Sequence, residues 1–304
     1  MDVYLPIANL SVNALVIVAL GCGVGLLSGM FGIGGGFLTT PLLIIYGIPP
    51  TVAAASSASQ ITGASVSGVF AHFDRKGVDV KMGGVLVAGG ILGSFVGAWI
   101  FQLLQASGQI DTVIGVVYVV LLGSIGSLMA RESWTAIGSA RGARPVKPRR
   151  RRHHPLIAAL PLRTRFYASG LYISPLAPLL LGFSTGILTM LLGIGGGFIL
   201  IPAMIYLLGM ATSVVVGTSL FQTLFVTAVA TMVHATTTKA VDIVLAALLL
   251  LGSVTGAQVG ARFATKVRPE YLRLALAILV LLVGLRILLG LVWRPDELFS
   301  IELA

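Results

Sequence analysis

Apolar residues run through most of this chain in long blocks, with neither the strict alternation of a half-buried strand nor a continuous polar face. Blocks of about 20 residues recur, the length that crosses a bilayer as an α-helix. They fall near 12–31, 51–73, 80–104 and 110–130, and again near 174–192, 211–235, 241–264 and 271–292. Two further blocks, 36–48 and 197–209, are shorter. As helices they reach about 20 Å, against a hydrocarbon core about 30 Å thick. Each short block follows the same run, GIGGG, at 32–36 and 193–197. Such a run is a poor helix, because each glycine costs about 0.5–1 kcal/mol relative to alanine. The pattern predicts an all-α polytopic membrane protein with about five membrane segments per half and a broken helix at each GIGGG. The short segment either spans with help or returns as a re-entrant hairpin. Both alternatives bring the chain back to the side where the preceding segment began.

The GIGGG pair belongs to a longer internal repeat. GIGGGFLTTP at 32–41 matches GIGGGFILIP at 193–202, an offset of 161. Ser56, Ser57, Gln60 and His72 match Thr218, Ser219, Gln222 and His234 at 162. Lys76, Asp79, Gly89, Gly93 and Gly97 match Lys239, Asp242, Gly252, Gly256 and Gly260 at 163. Single-residue loop insertions produce such a drift. The chain therefore reads as a first transmembrane repeat (1–130), a linker (131–171) and a second transmembrane repeat (172–304). Repeats of opposite membrane orientation are a common transporter design.

Composition agrees. Only 10% of the 304 residues are charged and 57% are hydrophobic, with mean hydropathy +1.01. A soluble domain carries about 25% charged residues. The net charge of +10 suggests nucleic acid until it is located. Residues 131–170 hold ten Lys/Arg against the single acid Glu132, which supplies +9. A basic, proline-containing loop between apolar blocks marks the cytoplasmic side and suits anionic headgroups, so no nucleic-acid partner is expected. With that loop inside, the loop 73–81 (Arg75, Lys76, Lys81) and the loop 262–273 (Arg262, Lys266, Arg268, Arg273) also lie inside. Loops 104–110 and 235–241 lie outside, as do both termini, and the two repeats are inverted. The N-terminus lacks the positive region of a cleaved signal peptide. The lone Cys22 leaves no internal disulfide or cysteine metal cluster.

Irregular backbone survives in hydrocarbon only where it lines protein or water. A helix starting at such a break offers free N–H groups and a positive dipole end, an anion site without a charged side chain. Gly34, Gly35 and Gly36, with Gly195, Gly196 and Gly197, are candidate substrate contacts on this ground; the alternative role is close helix packing. The glycines of 89-GGILGSFVG-97 and 252-GSVTGAQVG-260 recur every four residues without a hydropathy break and read as packing ridges. Ser56, Ser57 and Gln60, with Thr218, Ser219 and Gln222, supply neutral hydroxyl and amide donors for an oxyanion. They could equally bond helix carbonyls. Arg286, inside the last block, is a further candidate contact, or it snorkels to the outer interface. His72 and His234 end the third segments on opposite sides and cannot share a metal. Asp79 and Asp242 open the fourth helices, where an acid meets the positive helix end.

The chain carries no Walker A motif and no nucleophile–base–acid set, so neither an enzyme nor a cofactor is expected. GIGGGF…P, Gly217–Gln222 (GTSLFQ), His234–Ala235 and Val241–Asp242 resemble the sulfite exporter TauE/SafE family, within the wider group of 4-toluene sulfonate uptake permeases. The resemblance covers both halves, although SSASQ stands in the first half where the second has TSLFQ. It implies a bacterial inner-membrane transporter of sulfite, sulfoacetate or other small organosulfonates; sulfur enters only through the family. The expected function is alternating access around a midplane anion site, by facilitated diffusion or with H+ or Na+ as coupling ion. A passive anion channel and a non-transporting scaffold are the competing classes. Glycine-faced helices also permit a homodimer.

Overall fold

Each half begins with a β-hairpin that the apolar pattern does not predict. In the computed structural model, which describes residues 2–31, 36–74, 77–141, 164–264 and 269–292, β1 (Asp2–Leu5) pairs antiparallel with β2 (Leu10–Asn13). Likewise β3 (Thr164–Phe166) pairs with β4 (Leu171–Ile173). The closing pairs, Leu5↔Leu10 and Phe166↔Leu171, are equivalent at an offset of 161. The residue before each second strand is left-handed, with φ 57 at Asn9 and φ 64 at Gly170. Asparagine and glycine are the residues that tolerate this conformation.

Helices follow in the predicted order: α1 (Ala14–Phe31), α2 (Gly36–Ile45), α3 (Pro50–Asp74), α4 (Val80–Ala106) and α5 (Ile110–Arg141). The second half repeats them as α6 (Leu176–Leu192), α7 (Gly197–Tyr206), α8 (Thr212–Val233), α9 (Ile243–Ala264) and α10 (Pro269–Val292). A π-helical turn, His234–Thr238, extends α8. Five of these segments, on α4, α5, α8, α9 and α10, are long and apolar enough to cross a membrane. Of the stretch 131–171 expected as linker, α5 occupies the part up to Arg141 and the second hairpin begins at Thr164; 142–163 lie outside the described residues. Asp79 caps α4 by accepting from Met82 N at 3.0 Å, and Asp242 does the same for Leu245 N at 3.1 Å. Both acids thus occupy the helix starts expected of them.

The halves interlock through glycine. The first helix of each half packs against the fourth helix of the other, α1 on α9 and α6 on α4. A Cβ added at Gly25, Gly29, Gly252, Gly256 or Gly260 would lie 2.1–2.2 Å from a carbonyl oxygen across the α1–α9 seam. At Gly89, Gly93, Gly182 or Gly186 it would lie 2.0–2.2 Å from one across the α4–α6 seam. Backbone therefore touches backbone along both seams, the packing expected for the 89–97 and 252–260 ridges. α3 packs on α8 and α5 on α10.

Two end cores match position by position. One gathers Leu5, Val12, Leu43, Val52, Leu245 and Leu249. The other gathers Phe166, Ile173, Met204, Val214, Met82 and Leu86. In each, the end of the short helix (Leu43 of α2, Met204 of α7) lies beside the hairpin that precedes the first helix. The end of each short helix thus lies at the same end of the bundle as the start of its own half.

Candidate functional site at the broken helices

Breaking a helix frees backbone groups, and around the second break three carbonyls receive side-chain donors. His234 Nε2 donates to Met190 O at 2.9 Å, and the Tyr118 hydroxyl donates to Leu192 O at 2.5 Å. Thr223 Oγ1 donates to Gly195 O at 2.5 Å. Three glycines turn the chain left-handed, with φ 68 at Gly193, 73 at Gly195 and 72 at Gly196. Glycine alone adopts this series cheaply. Gly193 also ends α6 against α3, where a Cβ would lie 2.1 Å from Ala54 O.

The N–H groups are treated differently. Those of Gly195 and Gly196 have no backbone acceptor among the described residues. Gly196 caps α7 and faces a polar wall. A Cβ there would lie 3.5 Å from Gln222 Oε1, 3.6 Å from Thr189 Oγ1 and 3.3 Å from Thr185 Cβ. Gln222 is fully buried, its Nε2 lies 3.4 Å from Thr185 Oγ1, and its Oε1 has no partner.

The start of α2 approaches that of α7. Phe37 of α2 and Phe198 of α7, equivalent residues, stack with ring centroids 4.1 Å apart and planes 2° from parallel. Gly36 abuts Ile194 O and Ile61. Gly197 donates to Gly195 O at 2.9 Å as α7 begins. Gly34 and Gly35 lie outside the described residues. On α3, Ser57 Oγ and Gln60 Oε1 are buried without a partner, as Gln222 Oε1 is on α8. The two glutamines occupy equivalent positions.

The remaining candidates part company with this group. Ser56 Oγ accepts from Asp242 N at 3.0 Å, and Thr218 Oγ1 accepts from Asp79 N at 3.0 Å. Each of these aspartates also holds the other half's hairpin: Asp242 Oδ2 accepts from Ile7 N at 3.1 Å, and Asp79 Oδ2 accepts from Ser169 N at 3.0 Å and from the Ser169 hydroxyl. Ser56 and Thr218 thus belong to two reciprocal clamps between halves. Ser219 Oγ donates to Val216 O of its own helix at 2.9 Å. Arg286 stands on the exposed face of α10 beside Leu282, Leu285 and Leu289. His234 is buried, edge-on to Phe101, with Nδ1 3.1 Å from Thr238 Oγ1. It serves the break through Met190 O.

Thr185, Thr189, Thr223 and Tyr118 are contributors that the repeat does not flag. Position 24, equivalent to Thr185, is valine. The available signal was the i, i+4 spacing of Thr185 and Thr189, which puts two hydroxyls on one face of an otherwise apolar helix.

A doubled, glycine-broken helical repeat with this polar centre finds its counterpart among known families. The family model for the sulfite exporter TauE/SafE matches residues 17–287. The chain belongs to the TauE/SafE family. Among curated relatives, it is 28% identical over 272 residues to the probable membrane transporter protein YjnA of Bacillus subtilis (strain 168), covering 90% of this chain and 98% of that one. It is 26% identical over 287 residues to YunE of the same organism, covering 90% and 96%. It is 27% identical over 254 residues to a probable membrane transporter protein of Xylella fastidiosa (strain Temecula1 / ATCC 700964), covering 82% and 85%. No solved structure matches it. This TauE/SafE chain is a multi-pass membrane transporter.

Proposed function

We propose that this transporter moves small sulfur-containing oxyanions, such as sulfite, sulfoacetate or other small organosulfonates, by alternating access around an anion site between the broken helices. The observation that carries the reading is the meeting of two half-helix starts, Phe37 on Phe198, with the unpaired amide oxygen of Gln222 facing Gly196 and that of Gln60 at the equivalent position on α3. Ten residues of helix reach about 15 Å. Two such helices from opposite faces together match a hydrocarbon core of about 30 Å, which supports a midplane site.

Helix directions support the inversion. Contacts of Gly21, Gly25 and Gly29 with Leu249, Ser253 and Ala257 run parallel, as do those of Gly182 and Gly186 with Leu86 and Gly90. Gly115 meets Leu291 and Gly126 meets Leu281, so α5 and α10 run antiparallel. The links α4–α5 and α9–α10 are too short to recross a bilayer. These steps together set α1 against α6. In this reading the moving parts are mixed: the first hairpin, α1 and α9 form one, and the second hairpin, α6 and α4 the other. The linker 131–170 is cytoplasmic, both termini are outside, and the protein sits in a bacterial inner membrane.

Thermal-shift titration of the purified chain with sulfite, sulfoacetate, taurine, sulfate and lactate tests the site. A rise in Tm with the sulfur oxyanions and none with lactate is expected; no rise with any anion removes the reading. Flux in proteoliposomes tests the mechanism. Obligatory exchange or accumulation against a gradient, with its dependence on H+ or Na+, is the transporter outcome, and conductance at channel rates overturns it.

A further inference from the structure

We infer that the oxyanion group held between the half-helices carries one negative charge, and that the site rejects groups carrying two. The inference rests on the anion site proposed above and narrows its substrate class. Among the described residues, no lysine or arginine is buried; the buried titratable side chains are Asp79, Asp242, His234 and Tyr118. The two aspartates are engaged at the hairpin clamps. The titratable groups nearest the second break, Tyr118 and His234, are committed to the carbonyls of Leu192 and Met190. Arg286 is on the exposed face of α10.

Positive potential at the breaks therefore comes from neutral dipoles. A helix start is worth about half an elementary charge, so the starts of α2 and α7 together offset about one. Gln222 Oε1, unpaired, faces Gly196; on α3, where Ile61 meets both Gly36 and Gly195, Ser57 Oγ and Gln60 Oε1 are also unpaired. A half-turn of the Gln222 amide would exchange its two ends and present Nε2 to Gly196. A singly charged sulfonate or bisulfite group matches this supply. A doubly charged sulfite or sulfate leaves a whole charge uncompensated in a low-dielectric interior, which weakens binding by about a hundredfold or more.

The test is binding of three anions to the purified full chain, by calorimetry, at a mildly acidic and a mildly alkaline pH. Methanesulfonate stays singly charged throughout, sulfate stays doubly charged, and the bisulfite/sulfite pair changes from one charge to two near neutrality. The expected result is pH-independent binding of methanesulfonate, sulfite binding that falls about tenfold per pH unit once the second proton is lost, and at least about a hundredfold weaker binding of sulfate. Sulfate binding as tightly as methanesulfonate, or a flat sulfite profile, overturns the inference while leaving the anion site standing. A fall in methanesulfonate binding parallel to that of sulfite assigns the effect to the protein and overturns it as well. Binding of none of the three overturns the anion site itself.

Discussion

Two sets of buried polar groups, one helical turn apart on the same helices, meet opposite fates. Ser56 and Thr218 each receive an aspartate N–H from the other half. Four residues on, Gln60 and Gln222 each keep a buried amide oxygen with no partner. At the hairpin ends, both oxygens of Asp79 and of Asp242 are engaged. Further along the same helices, Ser57 and Gln60 on α3 and Gln222, which faces Gly196, leave bonds unmade. A buried polar group without a partner is uncommon and demands a reason. Complete pairing marks where the molecule holds itself together. Incomplete pairing at equivalent positions leaves each amide free to turn, and in the proposed function that turn brings Nε2 to the anion.

The sharpest way to break that contrast is to remove a clamp. Asp79→Ala strips the acceptor from Met82 N, Ser169 N and the Ser169 hydroxyl. A loss of about 3–5 kcal/mol is expected, at about 1–3 kcal/mol for each buried donor left unpaired. Thermal unfolding in detergent reads it, and Asp242→Ala should behave alike. An unchanged Tm in both would erase the distinction between clamp and site. Next comes Gly196→Ala. Its φ of 72 costs an L-residue about 1–2 kcal/mol, and the new methyl enters the space facing Gln222 and Thr189. Anion binding should fall further than stability does; equal falls would make Gly196 a packing glycine.

A smaller effect, of opposite sign on the two readouts, is expected for Gln60→Leu and Gln222→Leu. Each removes an unpaired buried amide oxygen, so Tm should hold or rise by the equivalent of about 1 kcal/mol. Anion affinity should fall by about the same amount, the usual worth of one hydrogen bond, because the Nε2 donor that the turned amide would offer is lost as well. A drop in Tm with affinity intact would move the glutamines to the structural side.

Much of the helical plan was legible because bilayer thickness fixes segment length, and repetition of GIGGG located both breaks. The hairpins were not legible. Their strands have three or four residues, and β2 merges into the apolar block that becomes α1. The clamps were hidden for a different reason. Recurrence at equivalent positions singles out Ser56 and Thr218 as readily as Gln60 and Gln222, because a pair of equivalent structural bonds repeats as faithfully as a pair of binding contacts. Only the partner atoms separate the two, and those come from the other half of the chain, at sequence separations of 186 and 139 residues. Thr185 and Thr189 escaped for the converse reason: the equivalent of Thr185 is Val24, so half of that polar wall has no repeat to announce it.

The finest test uses Ser57 and Ser219, which the repeat treats as equals and the fold does not. Ser219 Oγ is bonded to Val216 O, whereas Ser57 Oγ is buried with no partner. Read from sequence, both serines should weaken anion binding on truncation to alanine, by about 0.5–1.5 kcal/mol each. With the bond of Ser219 in view, Ser57→Ala should cost binding within that range and leave Tm unchanged or slightly higher. Ser219→Ala should leave binding intact and move stability by no more than about 0.5 kcal/mol. Titration of the two variants side by side separates the cases. Equal losses would mean that Ser219 turns from its helix to the anion when the site fills, making the two halves equivalent in use though unequal at rest. A loss confined to Ser57→Ala would mean that the ligand is held asymmetrically, with the first half contributing a serine and the second the wall of Thr185 and Thr189.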